Sequence, residues 1–354
     1  MDKRLHALIL AAGKGVRMKS QLPKVMHPVL GRPMVCHVID AVRSVGAEPV
    51  HVVVGFGRER LQEALAPEKV GFVTQAEQLG TGHAVQCFAR EIGTSSPPEH
   101  LLVVCGDTPL LSRETLAAMV ERHFAEKPAV TMLTLDMNEP GNYGRIIRDK
   151  AGRVLAIREA KDCTPDEHAV REINLAVYLF EGKHLFERLF KLSNKNRQKE
   201  YYLTDLIEMY AKDQLSVIAV KEVDELSTLG INSRVDLARV NRILADQVIR
   251  RHLEAGVTIE DPGQTLIEPT VEIGAETTIR PGAVLTGHTR IGENCVIGPH
   301  VLISNSTIGN GVRAEFCLVE NAQIAEGARL NAFSTVRGEG FPASQGSQQY
   351  KTAQ

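Results

Sequence analysis

Three features that often reveal the class of a protein are missing from this sequence of 354 residues. The first is a strong net charge, because 41 Lys and Arg residues nearly balance 43 Asp and Glu residues and leave a formal charge of -2. A chain of this kind has no general electrostatic attraction to nucleic acids or anionic membranes. We therefore expect neither a nucleic acid nor a membrane as a partner.

Paired cysteines and long apolar runs are the other two. The six cysteines lie far apart without a C-x-x-C pair, and no histidine cluster has the spacing of a zinc site. No apolar run approaches the ~20 residues needed to cross a bilayer. The run from Leu5 to Ala12 contains His6 and ends in Gly13-Lys14-Gly15, which does not resemble a signal-peptidase site. Together these features predict a cytoplasmic protein with reduced thiols.

Short apolar runs alternate with amphipathic helical patterns over the first two thirds of the sequence. The runs at 5–12, 50–56 and 101–105 are rich in Val, Ile and Leu, as buried parallel strands are. Between them, 34–45 and 82–92 carry apolar residues at helical spacing, so the pattern predicts a βαβ sheet. Further strand candidates, whose pairing the sequence leaves open, follow at 129–135, 153–158, 173–180 and 216–220.

Near residue 267 the period of the apolar residues changes to six. Neither a helix nor a hairpin sheet has this period, whereas a parallel β-helix of hexapeptide repeats does, with the aliphatic residue of each hexad pointing inward. Seven residues follow strict six-residue steps, and the step resumes after an irregular patch. The predicted inward residues are Ile267, Ile273, Ile279, Leu285, Ile291, Ile297, Ile303, Leu318, Ile324, Leu330 and Val336.

The patterns divide the chain into four parts. We expect an α/β domain at 1–232, a linker helix at 233–255, the β-helix at 256–339 and a flexible tail at 340–354. The helix is predicted from apolar residues at helical spacing before a glycine. The tail is rich in Gly, Ser and Gln and has no apolar period.

The most informative motif follows the first predicted strand. Gly13 and Gly15 stand directly after that strand, Arg17 comes next, and Lys24 follows shortly afterwards. Glycines let successive N–H groups approach phosphate oxygens, and the two cations supply balancing charge. The loop matches neither the dinucleotide fingerprint nor the Walker pattern. It favours phosphate binding, with a tight strand-to-helix turn as the alternative.

A second motif, Q-A-E-Q-L-G-T-G-H-A, precedes the second helical pattern. The backbone donors of Gly80 and Thr81 could hold a base or a phosphate at a helix N-terminus. The amide of Gln75 suits the edge of a nucleobase because it both donates and accepts. The alternative is an ordinary helix-capping turn with His83 as a first-turn residue.

A third motif, C-G-D-T-P, ends an apolar strand. Ligands of doubly wound sheets bind outside the carboxyl ends of the strands, where Asp107 falls, and a carboxylate there suits Mg²⁺. The alternative is a turn residue or a helix cap. Cys105 has no visible activating partner, so we expect it to pack at the strand end.

Together these motifs resemble those of the bacterial N-acetylglucosamine-1-phosphate uridylyltransferases. The similarity continues through Y-G-R, E-Y-Y-L-T-D and the hexapeptide repeats, and it covers Leu5 to about Val336. It implies an α/β, Rossmann-like nucleotidyltransferase domain with a mixed, mostly parallel sheet, followed by a short left-handed parallel β-helix. It also implies a cell-wall precursor enzyme, assembled as a homotrimer, that uses Mg²⁺ to transfer UMP from UTP to N-acetylglucosamine 1-phosphate and releases pyrophosphate.

The resemblance also implies roles for individual residues. Arg17, Lys24 and Asp107 would be catalytic, and Asp107 with Asn232 would bind Mg²⁺. Substrate contacts would come from Leu10, Ala11, Ala12, Gly13, Lys24, Gln75, Gly80, Thr81, Cys105, Gly106, Asp107, Gly144, Glu159, Asn174 and Asn232, of which Gly144, Glu159 and Asn174 would contact the sugar. Alternative roles are a turn for Gly144, a solvated strand end for Glu159, a loop cap for Asn174 and a helix N-terminus for Asn232.

Two departures from the family pattern shape these expectations. Leu175 and Ala176 follow Asn174 where the family has a small residue and Gly, which adds bulk beside the sugar site. A uridylyl- or thymidylyltransferase for another sugar 1-phosphate is therefore an alternative, and a non-catalytic regulatory subunit is a second. The sequence also stops before the coils in which bifunctional members bind acetyl-CoA, so we expect no acetyl transfer.

Overall fold

The computed structural model describes residues 5–93, 97–222, 224, 226 and 229–338. The chain forms two compact units. One reaches His27 and resumes from Arg32 to Leu237, and the other comprises Pro28–Gly31 and the chain from Ala238 onward. The tail expected at 340–354 lies outside the described residues. Within the described part, no helix has the length and apolarity needed to span a membrane.

Strands and helices alternate over the first part of the chain. Its strands are β1 (Leu5–Leu10), β2 (Pro28–Val29), β3 (Arg32–Pro33), β4 (Val50–Val54), β5 (Gly71–Thr74), β6 (His100–Cys105), β7 (Val130–Asp136), β8 (Arg145–Arg148), β9 (Val154–Arg158), β10 (Glu172–Glu181) and β11 (Val217–Glu222). The helices are α1 (Met34–Ser44), α2 (Arg58–Ala64), α3 (Thr81–Ile92), α4 (Arg113–Glu126), α5 (Pro165–His168), α6 (Gly182–Leu189), α7 (Asp205–Lys212) and α8 (Arg234–Glu254).

One mixed sheet organises the first unit. Its strand order is β11-β7-β10-β6-β1-β4-β5, and β8 and β9 extend it beside β10. Strand β1 pairs in parallel with β4 and β6, while β10 is antiparallel to both β6 and β7. Parallel strands end at the same edge of a sheet, so the loops after β1 and β6 lie side by side. The expected mixed, mostly parallel α/β fold is confirmed.

The central strands are buried on both faces. In β6 the four residues from Leu101 to Val104 are fully buried, which explains why the run is continuously apolar rather than alternating. Strand β10 could not be paired from its sequence. It lies between β6 and β7 and has a register shift between Asn174 and Tyr178.

The second unit contains a parallel β-helix, as the six-residue period predicted. Within the described residues its strands form three parallel sheets of five, five and four strands. Stacked inward residues such as Leu285 and Ile303 pair in register and are fully buried. The strands are β12 (Thr258–Ile259), β13 (Leu266–Ile267), β14 (Glu272–Ile273), β15 (Thr278–Ile279), β16 (Val284–Thr286), β17 (Arg290–Ile291), β18 (Val296–Ile297), β19 (Leu302–Ser304), β20 (Thr307–Ile308), β21 (Arg313–Ala314), β22 (Leu318–Glu320), β23 (Gln323–Ile324), β24 (Arg329–Leu330) and β25 (Thr335–Arg337).

The predicted inward position at Leu318 is wrong. Val319 pairs with Ile303 in the stack and is fully buried, whereas Leu318 is only partly buried. Ile308 and Ala314 fill the inward positions of the patch that looked irregular in the sequence. The pattern fails there because some inward residues are five positions apart rather than six, and one of them is an alanine.

Helix α8 begins at a capping box. The N–H of Asp236 donates to the Ser233 hydroxyl at 3.2 Å, and the Asp236 carboxylate accepts from the N–H of Ser233 at 2.8 Å. The sequence pattern predicts a separate linker helix at 233–255. In the structure the division between the two units falls inside it, after Leu237.

The inward face of the β-helix can be tested with two neighbouring residues of β19. Ile303 is fully buried, whereas Leu302 is 36% exposed. We predict that Ile303→Ala lowers the free energy of unfolding by about 2–5 kcal/mol, because it removes buried methyl groups and leaves a cavity. The matched Leu302→Ala should cost clearly less, because this side chain lies outside the coil and its loss leaves no internal cavity. Urea unfolding measures both, and equal losses would contradict the assigned faces.

Candidate active site

The loop after β1 brings the backbone close to a lysine. Gly15 has a φ of +61°, and a Cβ added there would lie 2.6 Å from the Cβ of Lys24. A side chain at this position would therefore collide with Lys24 and strain the backbone. Gly13 has open space instead, because an added Cβ would meet nothing within 4 Å. The two glycines thus serve different ends, close packing at Gly15 and an open surface at Gly13.

Lys24 lies at the centre of a polar cluster. Its Nζ donates a short hydrogen bond to Asp107 Oδ2 and another to Asn232 Oδ1 at 3.1 Å. Arg17 donates to the same Asn232 oxygen at 2.9 Å. The side chains of Lys24 and Asp107 are only 15% and 19% exposed. Two cations and two oxygen ligands from three distant segments therefore meet at one point, the Lys24 cluster.

Backbone contacts hold the two oxygen ligands together. The N–H of Ile231 donates to the backbone oxygen of Asp107 at 2.9 Å, and the N–H of Asn232 donates to Asp236 Oδ2 at 3.0 Å. The capping roles considered for Asp107 and Asn232 belong to their neighbours. Ser112 caps α4 and Ser233 caps α8.

A cavity of about 270 Å³ is lined partly by two members of this cluster, Lys24 and Asp107. Most residues that the resemblance placed at the nucleotide lie on its walls: Leu10, Ala11, Ala12, Gly13, Lys24, Gln75, Gly80, Thr81, Cys105 and Asp107. Its walls also include Val25, Val53, Gln78, Ala84 and Glu200, which the sequence analysis did not single out. Gln78, Ala84 and Glu200 stand inside motifs already quoted, so their position in those motifs was the available signal.

Three residues predicted at the nucleotide site, Arg17, Gly106 and Asn232, do not line the 270 Å³ cavity. Arg17 and Asn232 join it through their hydrogen bonds within the Lys24 cluster. Gly106 contributes its backbone, because its N–H donates to the Leu10 oxygen at 3.0 Å and ties the ends of β1 and β6 together.

Gly80 and Thr81 form a short backbone segment at the start of α3, the Gly80-Thr81 strap. The E-Y-Y-L-T-D segment at 200–205 forms hydrogen bonds with it. The N–H of Gly82 donates to the Tyr201 oxygen at 2.7 Å, and the N–H of Leu203 donates to the Thr81 hydroxyl at 3.2 Å. A Cβ on Gly80 would lie 2.6 Å from that Tyr201 oxygen. Gly80 is therefore required for the two segments to approach this closely.

Burial keeps the Cys105 thiol and the Tyr143 phenol protonated. Burial, reinforced by the Asp107 carboxylate, raises the pKa of Cys105 to about 12. The thiol therefore stays neutral and packs at the strand end, in line with expectation. Burial and the carboxylates of Asp107 and Asp236 also raise the pKa of Tyr143. Tyr143 thus stays a hydrogen-bond donor near the Lys24 cluster, a position the sequence analysis missed although it quoted Y-G-R.

Gly144, Glu159 and Asn174, the predicted sugar contacts, do not line the 270 Å³ cavity. The N–H of Asn174 donates to the Gly144 oxygen at 2.9 Å, and its Nδ2 donates to the Tyr178 hydroxyl at 2.6 Å. The bulky Leu175 lines neither this cavity nor the larger one beside Glu159, because its side chain is buried in the fold.

Glu159 lines a second cavity, of about 650 Å³, with Asp162, Tyr202 and Asp205. Thr204 donates its hydroxyl to Glu159 at 3.0 Å, yet burial raises the pKa of this carboxyl. Burial and the Glu208 carboxylate raise the pKa of Asp205 to about 6. This cavity therefore combines these acidic groups with lysine and arginine side chains that also line it.

The matches to family models follow the same two units. Residues 7–202 match the MobA-like NTP transferase domain, and residues 270–305 match the bacterial transferase hexapeptide repeats. The chain is 43% identical to the bifunctional protein GlmU of Geobacillus sp. (strain WCH70) over 337 residues, which is 95% of this chain and 72% of that protein. This chain belongs to the GlmU family. The GlmU of Alkaliphilus metalliredigens is also 43% identical, over 94% of this chain and 72% of its own length, and that of Syntrophomonas wolfei is 40% identical, over 95% and 74%.

Membership of the GlmU family confirms the expected activity. The chain is a nucleotidyltransferase that forms UDP-N-acetylglucosamine from UTP and N-acetylglucosamine 1-phosphate. GlmU-like nucleotidyltransferases depend on a divalent metal ion. The absence of acetyl transfer stays a prediction.

Proposed function

We propose that uridylyl transfer takes place at the Lys24 cluster, with Mg²⁺ as the metal. The observation that carries this proposal is the convergence of the Asp107 and Asn232 oxygens on one ammonium group. The cluster lies at the carboxyl ends of parallel strands, where open α/β sheets bind ligands. The cavity beside it is walled by the glycine-containing loop and by Gln75.

The donor set fits Mg²⁺. Asp107 and Asn232 offer two oxygens that already share a single cation, the Lys24 ammonium. Within the described residues no three His, Cys, Asp or Glu side chains cluster as a metal cage. Mg²⁺ keeps several waters and takes its remaining ligands from substrate phosphates, so one carboxylate and one amide oxygen suffice. When bound there, the ion would neutralise charge on the nucleotide and the sugar phosphate.

The reaction needs no general base from the protein. An ionised phosphate oxygen of the sugar 1-phosphate forms a bond to the α-phosphorus of UTP. The bond from that phosphorus to the oxygen bridging it to the β-phosphorus breaks, and pyrophosphate leaves with the electron pair. The protein supplies alignment and charge stabilisation, the two effects on which such transfers depend. Lys24 and Arg17 would stabilise the departing pyrophosphate, since both cations lie at the cluster.

The walls of the 270 Å³ cavity suit the nucleotide. Leu10, Ala11 and Ala12 form an apolar surface beside the open backbone of Gly13. Gln75, the first residue of the Q-A-E-Q-L-G-T-G-H-A motif, would read the base. The Gly80-Thr81 strap of the same motif would flank the base. Cys105 and Gly106 close the end of β6 next to the metal ligand Asp107.

The sugar would be held by Gly144, Glu159 and Asn174. A sugar carries hydroxyl donors and acceptors, and the cavity at Glu159 supplies carboxylate acceptors together with lysine and arginine donors. Tyr143 stands next to Gly144 in the sequence, and burial together with the Asp107 charge raises the pKa of its phenol, so it would offer a hydroxyl donor.

We further propose that the chain assembles as a homotrimer through the β-helix. Outward leucines of one sheet are exposed to solvent, with Leu266 at 38% and Leu302 at 36%. Flat faces of stacked coils with exposed apolar side chains suit association between copies.

The metal assignment predicts the effect of Asp107→Asn. Turnover should fall by about 10²–10³-fold, because the charged ligand that stabilises the transition state is lost. The exposed Asp246→Asn, which disrupts only the surface pair with Arg242, should keep wild-type kcat. Pyrophosphate release with Mg²⁺ measures both, and a fully active Asp107→Asn would disprove the assignment.

The sugar assignment predicts a selective effect of Glu159→Gln. We expect the KM for N-acetylglucosamine 1-phosphate to rise about 10–100-fold, since a hydrogen bond to a charged group is worth about 1.5–3 kcal/mol. The KM for UTP should not change. A panel of sugar 1-phosphates measures the preference of each variant, and a shift in the KM for UTP alone would argue against the assignment.

The assembly proposal predicts a trimer in light scattering. Leu302→Glu should shift the mass towards that of the 38.8 kDa monomer, because it places charge in an apolar contact. Leu155 in the first unit is similarly exposed, at 40%, so Leu155→Glu is the matched control and should leave the trimer intact. A monomeric wild-type chain would refute the proposal.

A further inference from the structure

The amide of Gln75 has its two ends in different surroundings. Gln75 follows β5, is 4% exposed and lines the 270 Å³ cavity. Its Nε2 donates to the Gly80 oxygen at 3.0 Å and contacts His83 Nδ1 at 3.2 Å. Among the described residues Oε1 has no hydrogen-bond partner, and it is not one of the unpartnered atoms sealed from solvent. The two amide hydrogens are thus occupied, while the carbonyl oxygen is available to a ligand.

The two protein partners determine which way the amide faces. A backbone oxygen can only accept, so the Gly80 oxygen requires the NH₂ end of the amide rather than its carbonyl. His83 reinforces this choice when its Nδ1 is the unprotonated acceptor and its Nε2 carries the hydrogen. In that tautomer the hydrogen on Nε2 faces Cys87, whose Sγ lies 3.7 Å from Nε2. Burial raises the pKa of the Cys87 thiol and keeps it neutral.

His83 is half-buried beside a second aromatic ring. It is the third residue of α3, and its ring lies 6.3 Å from that of Tyr201, which belongs to the segment that holds the Gly80 strap. From this position the ring presents Nδ1 to the Gln75 amide at 3.2 Å.

We infer that His83 is a positioning residue for base selection, which holds Gln75 so that Oε1 faces the base. This inference rests on the proposed function, in which Gln75 reads the base. An oxygen that can only accept selects a ring nitrogen that carries a hydrogen. Uracil and thymine have this donor at N3, whereas N3 of cytosine is an acceptor and would face Oε1 with like polarity. His83 thereby acts through Gln75 on the choice between UTP and CTP.

The test is the ratio of kcat/KM for UTP to that for CTP. In His83→Ala the second hydrogen bond of the amide is lost, so we expect the ratio to fall about tenfold, the effect of one hydrogen bond of about 1.4 kcal/mol. A purely structural loss would lower both values and leave the ratio unchanged. His83→Asn, whose Oδ1 can accept in place of Nδ1, should restore the ratio. Cys87→Ala, which loses only the contact at Nε2, should keep the wild-type ratio.

A double variant separates this inference from the proposed function. In Gln75→Ala the ratio should already be low, and adding His83→Ala should lower it no further, because His83 acts through Gln75. A Gln75→Ala variant that keeps the wild-type ratio would contradict the proposed function, in which Gln75 reads the base. A UTP-selective wild type whose ratio survives His83→Ala, or falls additively in the double variant, would overturn the inference and leave the proposed function standing.

Discussion

The site depends on the Lys24 ammonium held between the oxygens of Asp107 and Asn232. Charges that are largely withdrawn from water interact more strongly than exposed ones because solvent screens them less. The contact forms only when the loop after β1, the end of β6 and the segment before α8 are all in place. Correct folding therefore brings together the two charges and the amide oxygen on which the proposed phosphate chemistry depends.

Close approach of backbone segments builds most of the remaining site. Gly15 lets the first loop lie against Lys24, and Gly80 lets the second strap lie against Tyr201. Gly55 has a similar part, since an added Cβ would be 2.8 Å from both the Ala12 oxygen and Gln78 Nε2. Since few side chains on these walls carry charge, the cavity relies on shape and backbone donors, and the charged groups are concentrated in the Lys24 cluster.

The β-helix shows how a repeat tolerates irregular spacing. Parallel pairing keeps stacked residues such as Ile303 and Val319 in register even where a coil is shorter than eighteen residues. The shorter coils have fewer residues in the turns between strands. In these turns non-glycine residues such as Asn305 and Asn321 adopt positive φ. Asparagine tolerates that conformation better than most residues, so the strands keep their pairing while the turns absorb the change.

Local patterns in the sequence were enough to determine the classes of structure present. The alternation of apolar runs with helical patterns specified an α/β domain, and the six-residue period specified the β-helix, because burial imposes a period on every regular element. Loops after strands likewise pointed to the glycine motif and to Asp107. Only the tertiary structure placed β10 between β6 and β7 and put Val319 rather than Leu318 inside the coil. It also placed Glu159 in a second cavity, separate from the one that Gln75 lines. It also brought His83 against the Gln75 amide. These outcomes depend on which distant segments pack together, and a local period records that a residue is buried without recording its partner.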